Sequence, residues 1–272
     1  MGRFSGFGEG RLFPFAACSH LGFRLLTPMR TLRIFAVWVL VAVGMPAQTM
    51  KPAKPAGAAA KTAYYFDPMV LDLAALVADP PAVGSAANDA ELAELHRIEA
   101  ARTAEQVARA KADEEEEDLF AYKTVLGAGF NPEALPVTAA LGVHVKNEQS
   151  VAGGALKQVF ERPRPYRSDR TLHPVCALTE AANSYPSGHA LTGYLEGLTL
   201  AEMVPEKRRE ILARADDYAH NRLVCGVHYP SDLEASRRVA YVVFGYMMAT
   251  PRFQRDLAAA RAEMRAKLGV GP

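Results

Sequence analysis

Pro186-Ser187-Gly188-His189-Ala190-Leu191-Thr192-Gly193-Tyr194-Leu195-Glu196-Gly197-Leu198 is the stretch on which the fold turns. After the Ser-Gly turn, Leu191, Tyr194, Leu195 and Leu198 recur at helical spacing, which predicts a helix whose first N–H groups lie around Gly188. A helix N-terminus binds anions through those N–H groups. Gly188 lets the main chain approach a phosphate, Ser187 offers a hydroxyl donor, and His189 is placed to hand a proton to a departing oxygen. The plainer alternative for Ser187 is an ordinary N-cap.

The same texture extends along the chain. Long segments rich in Ala, Leu, Glu and Arg dominate, and alternating Val/Ile/Thr runs are almost lacking, so the reading is all-α, a single helical domain with a core helix bundle. Asn88 to Ala112 predicts one long amphipathic helix, with Leu92, Leu95, Ile98, Ala101 and Val107 near helical spacing. Its apolar face is one place to look for a subunit contact. Pro205-Glu206 opens another helix to about Asn221, with Ile211, Leu212, Ala215, Tyr218 and Ala219 on one face. Ser231 and Glu234 form a capping-box pattern ahead of Val239 to Met248, an apolar run too short to span a membrane. The acidic run Glu114-Glu115-Glu116-Glu117-Asp118 lacks a Gly-centred loop or alternating ligands, and reads as a solvated charged face rather than a cation site.

At the N-terminus, Arg30 and Arg33 precede the apolar run Ile34 to Gly44, the pattern of a secretory signal peptide. Residues 1–47 are therefore set aside as leader and signal, with Ala47 as the approximate cleavage point and Met29 as the expected true start. Residues 48–62, made of Lys, Pro, Ala and Gly without periodicity, read as a flexible linker, and the domain as 63–272. Removing 1–47 takes away five Arg and Glu9, leaving 26 basic and 29 acidic side chains, a net charge of −3. A mildly acidic chain is a poor nucleic-acid binder. It also leaves two cysteines, Cys176 and Cys225, in a chain expected to be periplasmic or secreted. A bridge between them would contribute roughly 4 kcal/mol on the chain-entropy model, and two buried free thiols are the alternative.

Two further patches complete the chemistry. Lys157 and Arg164 are seven residues apart, so both point the same way if the helix persists to Pro163. An ammonium beside a guanidinium fork suits a phosphoryl group. Arg222, His228 and Asp232 have spacings of six and four, which bring the carboxylate to the imidazole. An Asp that accepts from one ring nitrogen leaves the other unprotonated and nucleophilic. Each patch alone is weak, since prolines flank many surface cations and a lone His-x-x-x-Asp is usually structural.

In this order, Lys157 to Arg164-Pro165, Pro186-Ser187-Gly188-His189, and Arg222 to His228 to Asp232 resemble the signature of the type 2 phosphatidic acid phosphatase (PAP2) and vanadium haloperoxidase superfamily. Within it the chain is similar to class A bacterial non-specific acid phosphatases, through Asn183-Ser184-Tyr185, Cys225-Gly226-Val227-His228 and Phe253-Gln254, over roughly residues 64–265. Asn221 departs from the family's usual Ser, and the acidic run 114–118 from its polar, Gly-containing stretch. The resemblance implies an all-α fold and metal-independent hydrolysis of small-molecule phosphomonoesters, with no cofactor. His228 would be the nucleophile, His189 the general acid and base, and Asp232 the residue orienting His228. Lys157, Arg164, Ser187, Gly188 and Arg222 would bind phosphate. A homo-oligomer is also implied. The rival readings are a vanadate-dependent haloperoxidase, an integral lipid phosphatase, which needs spans this chain lacks, a soluble lipid or isoprenoid phosphate phosphatase, and a phosphate-binding protein without turnover.

Overall fold

Helix α4, Gly188–Met203, is enclosed on nearly every side because its sequence is apolar or small almost all round. Ala190, Leu191, Leu195, Leu200 and Ala201 are buried there. The computed structural model describes Met50, residues 61–68 and residues 71–269, which lie within one compact unit, 46–272. The expected leader (1–47) and all but Met50, Lys61 and Thr62 of the expected linker lie outside the described residues.

Around α4 pack α3 (Pro136–Phe160), α5 (Arg208–Val224), α6 (Pro230–Met248) and α7 (Pro251–Leu268), preceded by α1 (Ala86–Ala101) and α2 (Ala104–Glu115). Among the described residues there is no β-sheet, so the all-α expectation holds. Nor is any helix among them long and apolar enough to cross a membrane. Close approach to α4 depends on Gly193: a Cβ there would lie 2.7 Å from the Tyr218 ring of α5. The domain's first described aromatic residues are pinned to α3, where Tyr64 stacks on His144 and its N–H donates to Glu148.

Three local expectations need correction. Asn88 to Ala112 is not one helix but two, broken at Arg102 and Thr103. Thr103 starts α2 with a reciprocal box: Oγ1 accepts from the Gln106 N–H, and the Gln106 side chain accepts from the Thr103 N–H. The break also frees Arg102 to donate to the carbonyls of Val224 and His173. Leu95 and Ile98 are buried, and no large hydrophobic side chain on α1 or α2 is among the exposed ones. Second, α6 starts at Pro230, with Tyr229 as N-cap and Asp232, not Glu234, closing the box on the Tyr229 N–H. Glu234 faces outward to Arg237 and Arg238. Third, α3 ends at Phe160, before Pro163, through Glu161 in the left-handed region.

Candidate active site

His228 follows a turn that only glycine makes easily. Gly226 has φ +73°, and a Cβ there would meet Pro174 at 3.3 Å. The turn leaves His228 1% exposed between α5 and α6. Its Nδ1 lies 3.0 Å from Asp232 Oδ2, and its Nε2 lies 2.8 Å from Arg164 Nη1. A guanidinium only donates, so Nε2 is the acceptor and Nδ1 carries the proton toward Asp232. Burial first, then the charges of Arg164, Lys157, Arg222 and His189, hold the His228 imidazole well below its ordinary pKa. The ring is therefore neutral, with a lone pair on Nε2.

Asp232 is fully buried and accepts from His228 Nδ1, the Ser184 hydroxyl (2.6 Å), the Tyr229 N–H (2.9 Å) and Arg162 Nη1 (2.7 Å). Burial pushes its carboxyl above the usual Asp value, while Arg162, Ser184 and Tyr229 pull the other way. An acceptor of four hydrogen bonds is behaving as a carboxylate.

The cations converge although the helix stops short of Pro163, with Asn183 as their common partner. Lys157, in the last turn of α3, donates to the Asn183 carbonyl at 2.9 Å, and Arg164 Nε donates to Asn183 Oδ1 at 2.9 Å. Arg164 Nη1 also donates to the Val227 carbonyl. Burial, reinforced by repulsion from Arg222, lowers the Arg164 pKa to about 10, which leaves it charged in the acid and neutral range. Arg222, in the last turn of α5, is buried 3.4 Å from Glu114 Oε1. Ser187 is the N-cap of α4, its hydroxyl accepting from the Ala190 N–H. Gly188 opens that helix, and a Cβ there would lie 3.9 Å from Lys157 Nζ. Cys176 and Cys225 are joined in a disulfide beside Arg222, whose Nη1 lies 3.5 Å from Cys225 Sγ.

The acidic run is only partly the solvated face that its composition implies: Glu115 and Asp118 are exposed, but Glu114 and Glu117 turn toward the site. Glu114 is buried, with Oε1 toward Arg222 and Oε2 accepting from the Ala177 N–H. Glu117 Oε1 lies 2.8 Å from His189 Nε2, and its Oε2 lies 3.1 Å from Lys146. Asp113, just before the run, accepts from Asn221 and from both terminal nitrogens of Arg214. The two departures from the family pattern thus share one corner of the site: Asn221 meets Asp113, and its neighbour Arg222 meets Glu114.

Sequence reasoning also missed Arg162. Its two terminal nitrogens join Asp232 to Glu91, whose other oxygen accepts from the Ser231 N–H. The signal was present in Arg162-Pro163-Arg164-Pro165, an extended segment in which side chains two apart share a face. Arg162 and Arg164 both reach the His228–Asp232 pair.

Residues 135–256 match the model of the PAP2 superfamily, which covers the residues of the site except Glu91, Asp113 and those of the acidic run. The chain is 34% identical over 153 residues to a non-specific acid phosphatase of Salmonella typhimurium, covering 54% of this chain and 60% of that protein. It is 27% identical over 218 residues to a non-specific acid phosphatase of Providencia stuartii, covering 74% and 84%. To an acid phosphatase of Zymomonas mobilis it is 30% identical over 148 residues, covering 53% and 55%. The Salmonella match therefore spans about three-fifths of its relative's length. The neutral His228, its Asp232 and the convergent cations all lie inside the region, residues 135–256, that is similar to the PAP2 superfamily.

Proposed function

We propose that this protein is a metal-independent acid phosphatase that hydrolyses phosphomonoesters through a phosphohistidine on His228. The observation that carries the reading is the buried, neutral imidazole whose Nε2 lone pair faces Arg164 while Asp232 holds Nδ1. Simple anion binding needs cations but no oriented neutral imidazole.

In the first step the substrate's phosphoryl oxygens take over the donors of Arg164, Lys157 and Arg222. The Nε2 lone pair then attacks phosphorus as the ester P–O bond breaks. The leaving oxygen takes a proton from His189. The cations and the N-terminal N–H groups of α4 stabilise the charge on the equatorial oxygens. In the second step His189, now one proton short, accepts a proton from water as that water attacks phosphorus, and the N–P bond breaks to release phosphate. Positive charge that a metal ion would otherwise supply comes from two guanidinium groups and one ammonium, which is the support for a metal-free reaction. The Cys176–Cys225 bridge fits an oxidising compartment, so the periplasm or the exterior is the proposed location.

The test is the rate of aryl phosphate hydrolysis against pH in excess EDTA. The first step needs His228 neutral and His189 charged, so the profile is expected to be bell-shaped with an acid optimum. Because the His228 pKa is lowered, the acid limb should fall only well below pH 6.5. A rate abolished by EDTA would contradict the metal-free reading, and one climbing steadily to pH 9 would contradict the roles of the two histidines. Halide oxidation with added vanadate and peroxide, in place of hydrolysis, would favour the haloperoxidase reading.

A further inference from the structure

We propose that Glu117 is a positioning residue for the acid-base histidine: its carboxylate, braced by Lys146, fixes His189 Nε2 and raises the affinity of that ring for the proton it donates. The proposal rests on the phosphatase reading for the use of that proton, and on geometry alone for the pairing.

Two atoms of the acidic segment meet His189 Nε2: Glu117 Oε1 at 2.8 Å and the Glu114 carbonyl at 3.2 Å. Both are acceptors, so Nε2 carries a hydrogen. The second proton on this ring then binds beside a carboxylate, which favours the charged imidazolium. That charged form is the one a general acid requires. His189 is 13% exposed and Glu117 32% exposed, so the pair lies at the edge of the site and is only partly screened by solvent.

The surroundings set the sign of the effect. Lys146 of α3 lies 3.1 Å from Glu117 Oε2 and competes for the same carboxylate. Glu114 is committed to Arg222 of α5 and to the Ala177 N–H. Lys157 of α3 lies near Gly188, next to His189, and His228 feels the His189 charge. Glu196, farther along α4, is buried and held well above the usual carboxylate range, first by burial and then by Asp118 and Glu117, which makes it a neutral acid. Glu117 is thus the carboxylate placed to stabilise His189 as a cation. Burial pushes the Glu117 pKa up, but its hydrogen bond to His189, the His189 charge and Lys146 outweigh burial and hold it well below the usual range, so it stays ionised in acid.

The experiment compares the full chain with Glu117→Gln, which keeps an acceptor but removes the charge, and with Lys146→Gln, which removes the competing cation. NMR titration of the His189 ring is expected to show roughly tenfold weaker proton binding in E117Q and a shift of opposite sign in K146Q. Hydrolysis of an alkyl phosphate, whose poor leaving group needs the proton, should fall about tenfold or more in E117Q, and that of nitrophenyl phosphate by less than about threefold. An unmoved His189 titration in both variants, or an equal loss on both substrates, would overturn the proposal. If the wild-type chain hydrolyses neither substrate while the titrations move as expected, the phosphatase reading fails and the positioning of His189 by Glu117 stands.

Discussion

Replacing His228 by alanine is expected to lower kcat for aryl phosphate hydrolysis by about 10⁴-fold or more while leaving the protein folded. The large effect follows from the two-step scheme: without the Nε2 lone pair there is no acceptor for the phosphoryl group, and the remaining cations can only polarise an ester for direct attack by water. Asp232 would keep Arg162, Ser184 and the Tyr229 N–H as partners, so the truncation does not leave a bare buried carboxylate. Retention of the fold, checked by circular dichroism and by the denaturation midpoint, separates loss of chemistry from loss of structure. Rapid quench into alkaline denaturant, which preserves the acid-labile N–P bond, supplies the positive evidence with labelled substrate, since label on the His228 peptide of the wild type should be missing in the variant. A variant retaining a tenth of the wild-type rate would mean that another group takes the phosphoryl transfer.

His228→Asn is the subtler comparison. An Asn amide can replace the hydrogen bond to Asp232 but offers no nucleophilic nitrogen, so it should be as inactive as alanine. If the imidazole were needed only to hold Asp232 and Arg164 in place, asparagine would rescue a large part of the rate.

Much of this site was legible in the chain because its parts obey local rules. The Leu191, Tyr194, Leu195 and Leu198 spacing locates α4 and therefore the turn at its start, and His228 and Asp232 are one helical turn apart across the α6 N-terminus. What stayed hidden depends on partners distant in sequence. The acidic run has the composition of a solvated face, and nothing within it announces that Glu114 will meet Arg222, more than a hundred residues later, or that Glu117 will meet His189. The break at Thr103 was hidden differently. Apolar spacing runs across it from α1 into α2, while the decisive signal, Thr103 with Gln106 three residues on, is a capping pattern that periodicity outweighed in the reading. Arg162 was overshadowed by Arg164, because a phosphate site directs attention to the cation that touches the anion rather than to the one that holds the carboxylate behind the nucleophile.

That second cation carries the largest stability effect expected. Arg162→Met is predicted to destabilise the protein by about 3–5 kcal/mol, because removing one partner of a buried ion pair leaves the other charge uncompensated. Arg162 and Asp232 are both almost inaccessible to water, 3% and 0% exposed, and Glu91, on the other arm of the guanidinium, is only 12% exposed. Methionine fills most of the volume over the Tyr229 ring, where the guanidinium now lies 3.7 Å from the centroid, so the loss reports charge more than packing. Activity should fall as well. Without Arg162, burial acts on Asp232 with less opposition and its carboxyl takes up a proton more readily; a protonated Asp232 holds the Nδ1–H of His228 more weakly, and the tautomer with Nε2 as the bare nitrogen loses part of its advantage. Lysine should rescue little of either effect, since Nη1 serves Asp232 and Ser231 while Nη2 serves Glu91, and a single ammonium does not span both carboxylates. Urea denaturation of the methionine variant gives the stability term, and kcat under conditions where it is still fully folded gives the catalytic one. Unchanged stability in that variant would show that Ser184, the Tyr229 N–H and His228 suffice to hold Asp232, whereas lost stability with full activity in the folded fraction would remove Arg162 from the orientation of His228.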